Sequence, residues 1–182
     1  MKLYVLILTA LISVFFSTTL AMADDHERKH RTRERHHSED HLDDAVPEVA
    51  NQLYAETCGA CHFAYPPGLL NANSWSALLR QVEDHFGESL ALDASQSTEL
   101  MDYLTANAAE RSQGELAADI SDALGSRTVL RITEVSEIRK EHRKISQDVF
   151  ARPSVGGFSN CVACHQRAEK GVFDDDEVSI PH

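Results

Sequence analysis

Cys58-Gly59-Ala60-Cys61-His62 and Cys161-Val162-Ala163-Cys164-His165 contain all four cysteines of this 182-residue chain. Each pentapeptide has the Cys-x-x-Cys-His spacing that is typical of covalent haem attachment. Its two sulfurs can reach the two vinyl positions of one porphyrin, and the adjacent histidine can then bind the iron as the proximal ligand. The repeated motif therefore predicts two covalently attached haem c groups. Their attachment residues are Cys58, Cys61, Cys161 and Cys164.

Paired cysteines have three other common uses in proteins. A thioredoxin-like redox site requires alternating strands and helices, and neither motif has strand-rich surroundings. A zinc ribbon places its two cysteine pairs close together, whereas about a hundred residues separate the pairs here. A disulfide within each motif leaves the repeated histidine unexplained. Haem attachment accounts for the two cysteines and the histidine of each motif.

Residues 1–23 have the features of a Sec-type signal peptide. Lys2 precedes an uncharged, mostly apolar stretch, and Ala21-Met22-Ala23 matches an Ala-x-Ala cleavage site. An uncleaved membrane anchor is the alternative, since the apolar stretch is long enough to span a bilayer. The small residues before a charged segment favour cleavage after Ala23. We therefore predict a periplasmic protein with no membrane span after cleavage.

The chain is acidic. Its formal net charge is −12, and loss of Lys2 with the signal makes the charge one unit more negative. This negative net charge argues against nucleic acid as a partner and favours redox proteins with basic surfaces.

Residues 24–44 form a charged leader with one aliphatic residue, Leu42, and we predict that this leader is disordered. Its five histidines include pairs four residues apart, which can hold a divalent metal on a helix. A solvated linker and a metal site are the two alternatives. The histidines are His26, His30, His36, His37 and His41.

The remaining sequence predicts a mainly α fold with little or no sheet, built as two small cytochrome c-like haem domains. Apolar spacing predicts one helix from Val46 into Cys58 and another from Ser74 to a stop at Gly87. Asp93 and Gln96 predict the start of a third helix. We place the first haem domain at 45–113, a linker with a short helix at 114–125, and the second haem domain at 126–182.

Few residues are available as second axial ligands. Met1 and Met22 leave with the signal, so Met101 is the remaining thioether, and its apolar neighbours indicate core packing. Outside the leader and the motifs, the histidines are His85, His142 and the terminal His182. A frayed terminus makes His182 a poor ligand.

The count of histidines predicts two iron centres with two histidines each. We pair His62 with His85, and His165 with His142. Such irons have no open coordination site and are suited to passing single electrons. An exposed, non-ligating His142 is the alternative, because its segment is highly charged.

Six parts of the chain together resemble a known family. They are 58–68, Trp75, 85–87, 131–134, 141–143 and 161–171. These stretches resemble the dihaem cytochrome c family, often abbreviated DHC, over most of the chain from Val46 onward, without the leader. The resemblance implies two small, mainly helical haem domains, irons with two histidine ligands, and a periplasmic electron carrier. It also implies a membrane b-type cytochrome or an oxygen-binding haem protein as partner.

We therefore predict an electron carrier without enzymatic activity. The alternative is a haem enzyme, such as a peroxidase or a small-molecule reductase, in which one iron has an open or displaceable axial position and acid–base groups above it.

Overall fold

Helices dominate residues 45–182, the range that the structure, a computed structural model, describes. No β-strand occurs within this range, so the prediction of a mainly helical fold is confirmed. The predicted signal peptide (1–23) and leader (24–44) lie outside the described residues. The helices are α1 (Gln52–Cys58), α2 (Ala72–Leu79), α3 (Ala94–Ala106), α4 (Glu115–Leu124), α5 (Ser136–Glu141) and α6 (Gln147–Phe150).

A single 3₁₀ turn of three residues lies in each connection between successive helices, and three more such turns follow α6. The second motif begins in one of them. The turns are Pro67–Leu69, Val82–Asp84, Ala109–Arg111, Ile132–Glu134, His142–Lys144, Cys161–Ala163, Ala168–Lys170 and Asp175–Glu177.

The buried core is centred on α3 and α4. Leu100 and Leu104 of α3 and Ile120 and Leu124 of α4 are each at most 2% exposed. Residues four apart lie on one face of a helix, so each helix turns an apolar face inward. Burial of each of these side chains contributes about 1.5–3 kcal/mol to stability. The same cluster includes Ile132, which follows the predicted linker.

The first helix begins later than predicted. The apolar spacing predicts helix from Val46, but α1 begins at Gln52 with Asn51 as its N-cap. The Asn51 side-chain oxygen accepts a hydrogen bond from the Tyr54 backbone N–H at 2.7 Å, which fixes the helix start. Val46 is buried in a non-helical segment, where its N–H donates to the Gly171 carbonyl at 2.9 Å. Tertiary packing, and not a helix, accounts for its burial.

The second helix is displaced towards the N-terminus relative to the prediction. Its N-cap is Asn71, whose side-chain oxygen accepts a hydrogen bond from the Ser74 backbone N–H at 3.0 Å. Ser74, predicted as the cap, is buried inside the helix and accepts a hydrogen bond from the Val129 N–H at 3.0 Å. The helix ends at Leu79 and does not continue to Gly87.

Two other predicted features are confirmed. Asp93 caps α3 in a capping box with Gln96, and the short helix predicted within 114–125 is α4. The two-domain division at this linker remains a prediction.

Candidate metal centres

The first motif begins at the last residue of α1, as predicted. Cys58 is half-buried, whereas Cys61 and His62 are exposed in the turn that follows. The His62 Nδ1 atom lies 2.8 Å from the carbonyl oxygen of Phe63. Because a carbonyl can only accept, Nδ1 carries the proton and Nε2 keeps its lone pair for a metal.

His85 lies beside this motif, although it is on a turn and not on the predicted helix. The ring centroids of His62 and His85 are 6.3 Å apart, and their planes differ by 29°. Two backbone hydrogen bonds between His85 and Glu88, of 2.7 and 3.2 Å, close a tight turn. The structure therefore brings together the first predicted pair.

The second predicted pair is also brought together. The ring centroids of His142 and His165 are 5.9 Å apart, with an angle of 64° between their planes. His142 Nδ1 donates to the Ile138 carbonyl at 2.7 Å, which leaves its Nε2 available. The rings of Phe158 and Phe173 lie 5.2 Å from His142 and 5.6 Å from His165, respectively.

The sequence profile of the dihaem cytochrome c family matches residues 54–173. The chain belongs to the dihaem cytochrome c family. As a family member it carries two covalently attached haem c groups, and Cys58/Cys61 and Cys161/Cys164 match the attachment motif. Family membership supports a haem c electron-carrier role.

Solved dihaem cytochromes have a similar fold. A dihaem cytochrome c from Rhodobacter sphaeroides is 37% identical, with a TM-score of 0.62 over 70% of this chain and 99% of that chain. A dihaem cytochrome c from Shewanella baltica OS155 is 36% identical, with a TM-score of 0.59 over 72% of this chain and 93% of that chain. Comparison with curated proteins finds no significant match.

The two histidine pairs of this dihaem cytochrome c fit an iron between them. Metal–imidazole bonds of about 2.0–2.1 Å on each side place the two ring centroids about 6 Å apart. Both observed separations agree with this value. Within residues 45–182, the buried Nδ1 of His165 has no hydrogen-bond partner, so this ring, unlike those of His62 and His142, is not oriented by a backbone carbonyl.

Burial favours the protonation states that haem binding requires. Burial lowers the pKa of His85, and the nearby His62 and Arg131 lower this pKa further. Burial likewise lowers the pKa of His165, with a contribution from His142. Both imidazoles are therefore held in the neutral form that binds metal.

Three of the four thiols differ from those of a redox-active site. Burial raises the pKa of Cys58 and of Cys161 to about 11. Burial also raises the pKa of Cys164. Reactive disulfide exchange uses thiolates with a lowered pKa. The raised pKa values of these three thiols therefore argue against a thioredoxin-like redox site.

Two contacts of this site could not be predicted from the sequence. The Arg131 guanidinium carbon lies 3.7 Å from the centroid of the Phe86 ring, which itself lies 4.7 Å from the ring of the adjacent His85. The Tyr65 hydroxyl donates to the Ser159 carbonyl near the second motif at 2.6 Å. No local pattern signals either contact, because each joins distant parts of the chain.

Met101, the remaining thioether, lies on α3, and both histidine pairs form without it.

Within residues 45–182, no helix combines the length and the apolar composition that a membrane span requires.

Proposed function

We propose that this dihaem cytochrome c is a periplasmic carrier that passes single electrons through two low-spin haems, each with two histidine ligands. The axial pairs are His62 with His85, and His165 with His142. The observation that supports this most is the ring geometry. The ring centroid of each motif histidine lies 6.3 Å or 5.9 Å from that of a second imidazole, close to the separation that one shared iron requires.

The four motif cysteines and the two histidine pairs would hold and orient the two haems. Haem c supplies the Fe(III)/Fe(II) couple when it is bound. The hydrogen bonds from Nδ1 of His62 and His142 to backbone carbonyls fix the rings and raise the basicity of the opposite nitrogens. Two imidazoles per iron would leave no position for oxygen or peroxide, and they would favour a lower potential than a histidine–methionine pair.

The charge of the chain and its family resemblance support the partners that we propose. The acidic chain suits redox proteins with basic surfaces. A membrane b-type cytochrome and an oxygen-binding haem protein are the two kinds that we propose. The predicted signal at 1–23 would deliver the chain to the periplasm, where both could meet it.

Low-temperature EPR of the oxidised protein tests the ligand assignment. We expect two low-spin signals in the unmodified protein. His85→Ala and His142→Ala should each convert a different haem to high spin, because each removes one axial imidazole. His182→Ala, at the exposed terminus, is the control and should leave both signals unchanged. Low-spin haems in both ligand variants would contradict the assignment.

Carbon monoxide distinguishes the carrier from the haem enzyme. A reduced iron with two histidines should bind carbon monoxide slowly or not at all, as judged by the optical spectrum. Rapid binding at one haem of the unmodified protein would favour the peroxidase or reductase alternative.

A further inference from the structure

Tyr65 contacts the first histidine pair through its ring. It lies three residues after His62, and the two ring centroids are 5.1 Å apart. The Phe63 ring packs edge-on against Tyr65 at 4.5 Å. Tyr65 is therefore in direct contact with a proposed ligand of the first iron.

The other end of Tyr65 reaches the second motif. Its hydroxyl donates a 2.6 Å hydrogen bond to the carbonyl oxygen of Ser159, 94 residues away in the chain. The Cys161 sulfur lies 3.7 Å from the same oxygen. One side chain thus connects the proposed ligand of one haem to the backbone that carries an attachment sulfur of the other.

The protein holds Tyr65 firmly in this position. The hydroxyl of Tyr54, a residue only 2% exposed, donates to the Tyr65 carbonyl at 2.8 Å. The Tyr65 hydroxyl faces a carbonyl oxygen, which can only accept, so the phenol is the donor in this contact.

We propose that Tyr65 is a positioning residue that couples the two haems electronically, through its ring contact with His62 and its hydrogen bond to Ser159. This inference rests on the proposed function, with His62 bound to the first iron. In the transfer, one iron is oxidised from Fe(II) to Fe(III) and the other is reduced from Fe(III) to Fe(II). Tyr65 gains or loses neither an electron nor a proton.

Exchange of electrons within the half-reduced protein tests this proposal. Tyr65→Phe keeps the ring and removes the hydroxyl, and Tyr65→Leu removes both contacts. Two-dimensional NMR exchange spectroscopy can follow the haem methyl resonances of each redox state. We expect the intramolecular exchange rate to fall severalfold in Tyr65→Phe and further in Tyr65→Leu.

Tyr103→Phe is the matched control. Tyr103 also makes a hydrogen bond through its hydroxyl, which accepts from the Ala50 N–H at 3.0 Å. Both phenylalanine variants lose a hydrogen bond and should have a lower thermal unfolding midpoint. In Tyr103→Phe, where that bond is only structural, the exchange rate should stay unchanged. An unchanged rate in Tyr65→Phe, with both haems low-spin, would overturn the proposal.

Two measurements separate failure of this inference from failure of the proposed function. High-spin EPR signals in the unmodified protein would contradict the ligand assignment itself. If Tyr65→Phe assembles poorly, the Tyr65 ring resonances of the unmodified protein still provide a test. They should shift when either haem is oxidised, and a response to only one haem would overturn the coupling.

Discussion

Phe86 has a backbone conformation that large side chains rarely adopt. Its φ is +59°, and the φ of Gly87 is +98°. Two positive φ values in a two-residue turn are typical of type I′ geometry, for which Asn-Gly is the preferred sequence. For phenylalanine, this conformation lowers stability by about 1–2 kcal/mol. Its ring packs on His85 and under Arg131, which accounts for a strained residue beside a proposed ligand.

Phe86 has two effects that Phe86→Asn should separate. Its backbone strains the turn, and its ring holds the His85 side chain in place. Asparagine relieves the backbone strain, so we expect the free energy of unfolding to stay constant or rise by up to about 1 kcal/mol. Loss of the ring should free His85 and speed carbon monoxide binding to one reduced haem. Thermal unfolding and stopped-flow spectroscopy measure the two effects.

Phe86→Tyr is the control for this variant. It keeps the ring and the strain and should match the unmodified protein in both measurements. Carbon monoxide binding that is equally slow in Phe86→Asn would show that the ring does not hold His85.

At the level of elements, Asn71 joins α2 to the chain that follows α4. Its oxygen caps α2, and its amide group donates to the carbonyls of Gly125 and Arg127 at 3.0 and 2.9 Å. The residue is only 3% exposed. One buried side chain therefore fixes both the start of a helix and a contact between segments more than fifty residues apart in sequence.

Asn71→Asp should destabilise the protein although it keeps the capping oxygen. The carboxylate has no N–H groups and would face two carbonyl oxygens in a buried position. We expect the free energy of unfolding to fall by at least about 2 kcal/mol, as measured by denaturant titration of the haem-loaded protein. Asp93→Asn, at an exposed cap, is the control and should change it by less than about 0.5 kcal/mol. Equal effects of the two variants would contradict this role.

Local chemistry explains which helix limits could be predicted. The start of α3 is set by Asp93 and Gln96, which lie within one turn of each other. The start of α2 could not be predicted in this way, because Asn71 and Ser74 are both good caps. The choice between them depends on the hydrogen bonds of Asn71 to Gly125 and Arg127, which local sequence does not reveal.

Across the whole molecule, the apolar core made by protein side chains is unevenly distributed. Among the described residues after Val135, the fully buried apolar side chains are Val155 and Ala168. The α3 and α4 region has its own buried cluster. A small core needs another source of stability, so we expect the second haem to supply most of the apolar core around its motif.

The double variant Cys161→Ser/Cys164→Ser tests this dependence. Without covalent attachment of the second haem, backbone amides of residues 142–182 should lose most of their protection from hydrogen exchange. Amides of α3 should stay protected. In the matched variant Cys58→Ser/Cys61→Ser, the amides of α3 should keep part of their protection from hydrogen exchange. Leu100 and Leu104 remain packed there against other protein side chains. Full protection of 142–182 in the first variant would contradict the expectation.

The proposed ligands could be found from the sequence because haem iron accepts few residue types and the chain offers few of them. His85 and His142 remain once the leader, the motifs and the terminus are set aside. Their surroundings could not be found in this way. The contacts of Tyr65 with Ser159 and of Arg131 with Phe86 depend on how distant segments pack.

The different ring angles of the two histidine pairs have a consequence for the electronic structure of the irons. The planes of His62 and His85 are nearly parallel at 29°, so both rings would mix with the same iron d orbital and split the d-orbital pair. The planes of His142 and His165 differ by 64°, so each ring would mix with a different d orbital. The first haem should then give a rhombic spectrum, and the second a spectrum dominated by one large g value. The two irons would thus be distinguishable in the unmodified protein, before any ligand is changed.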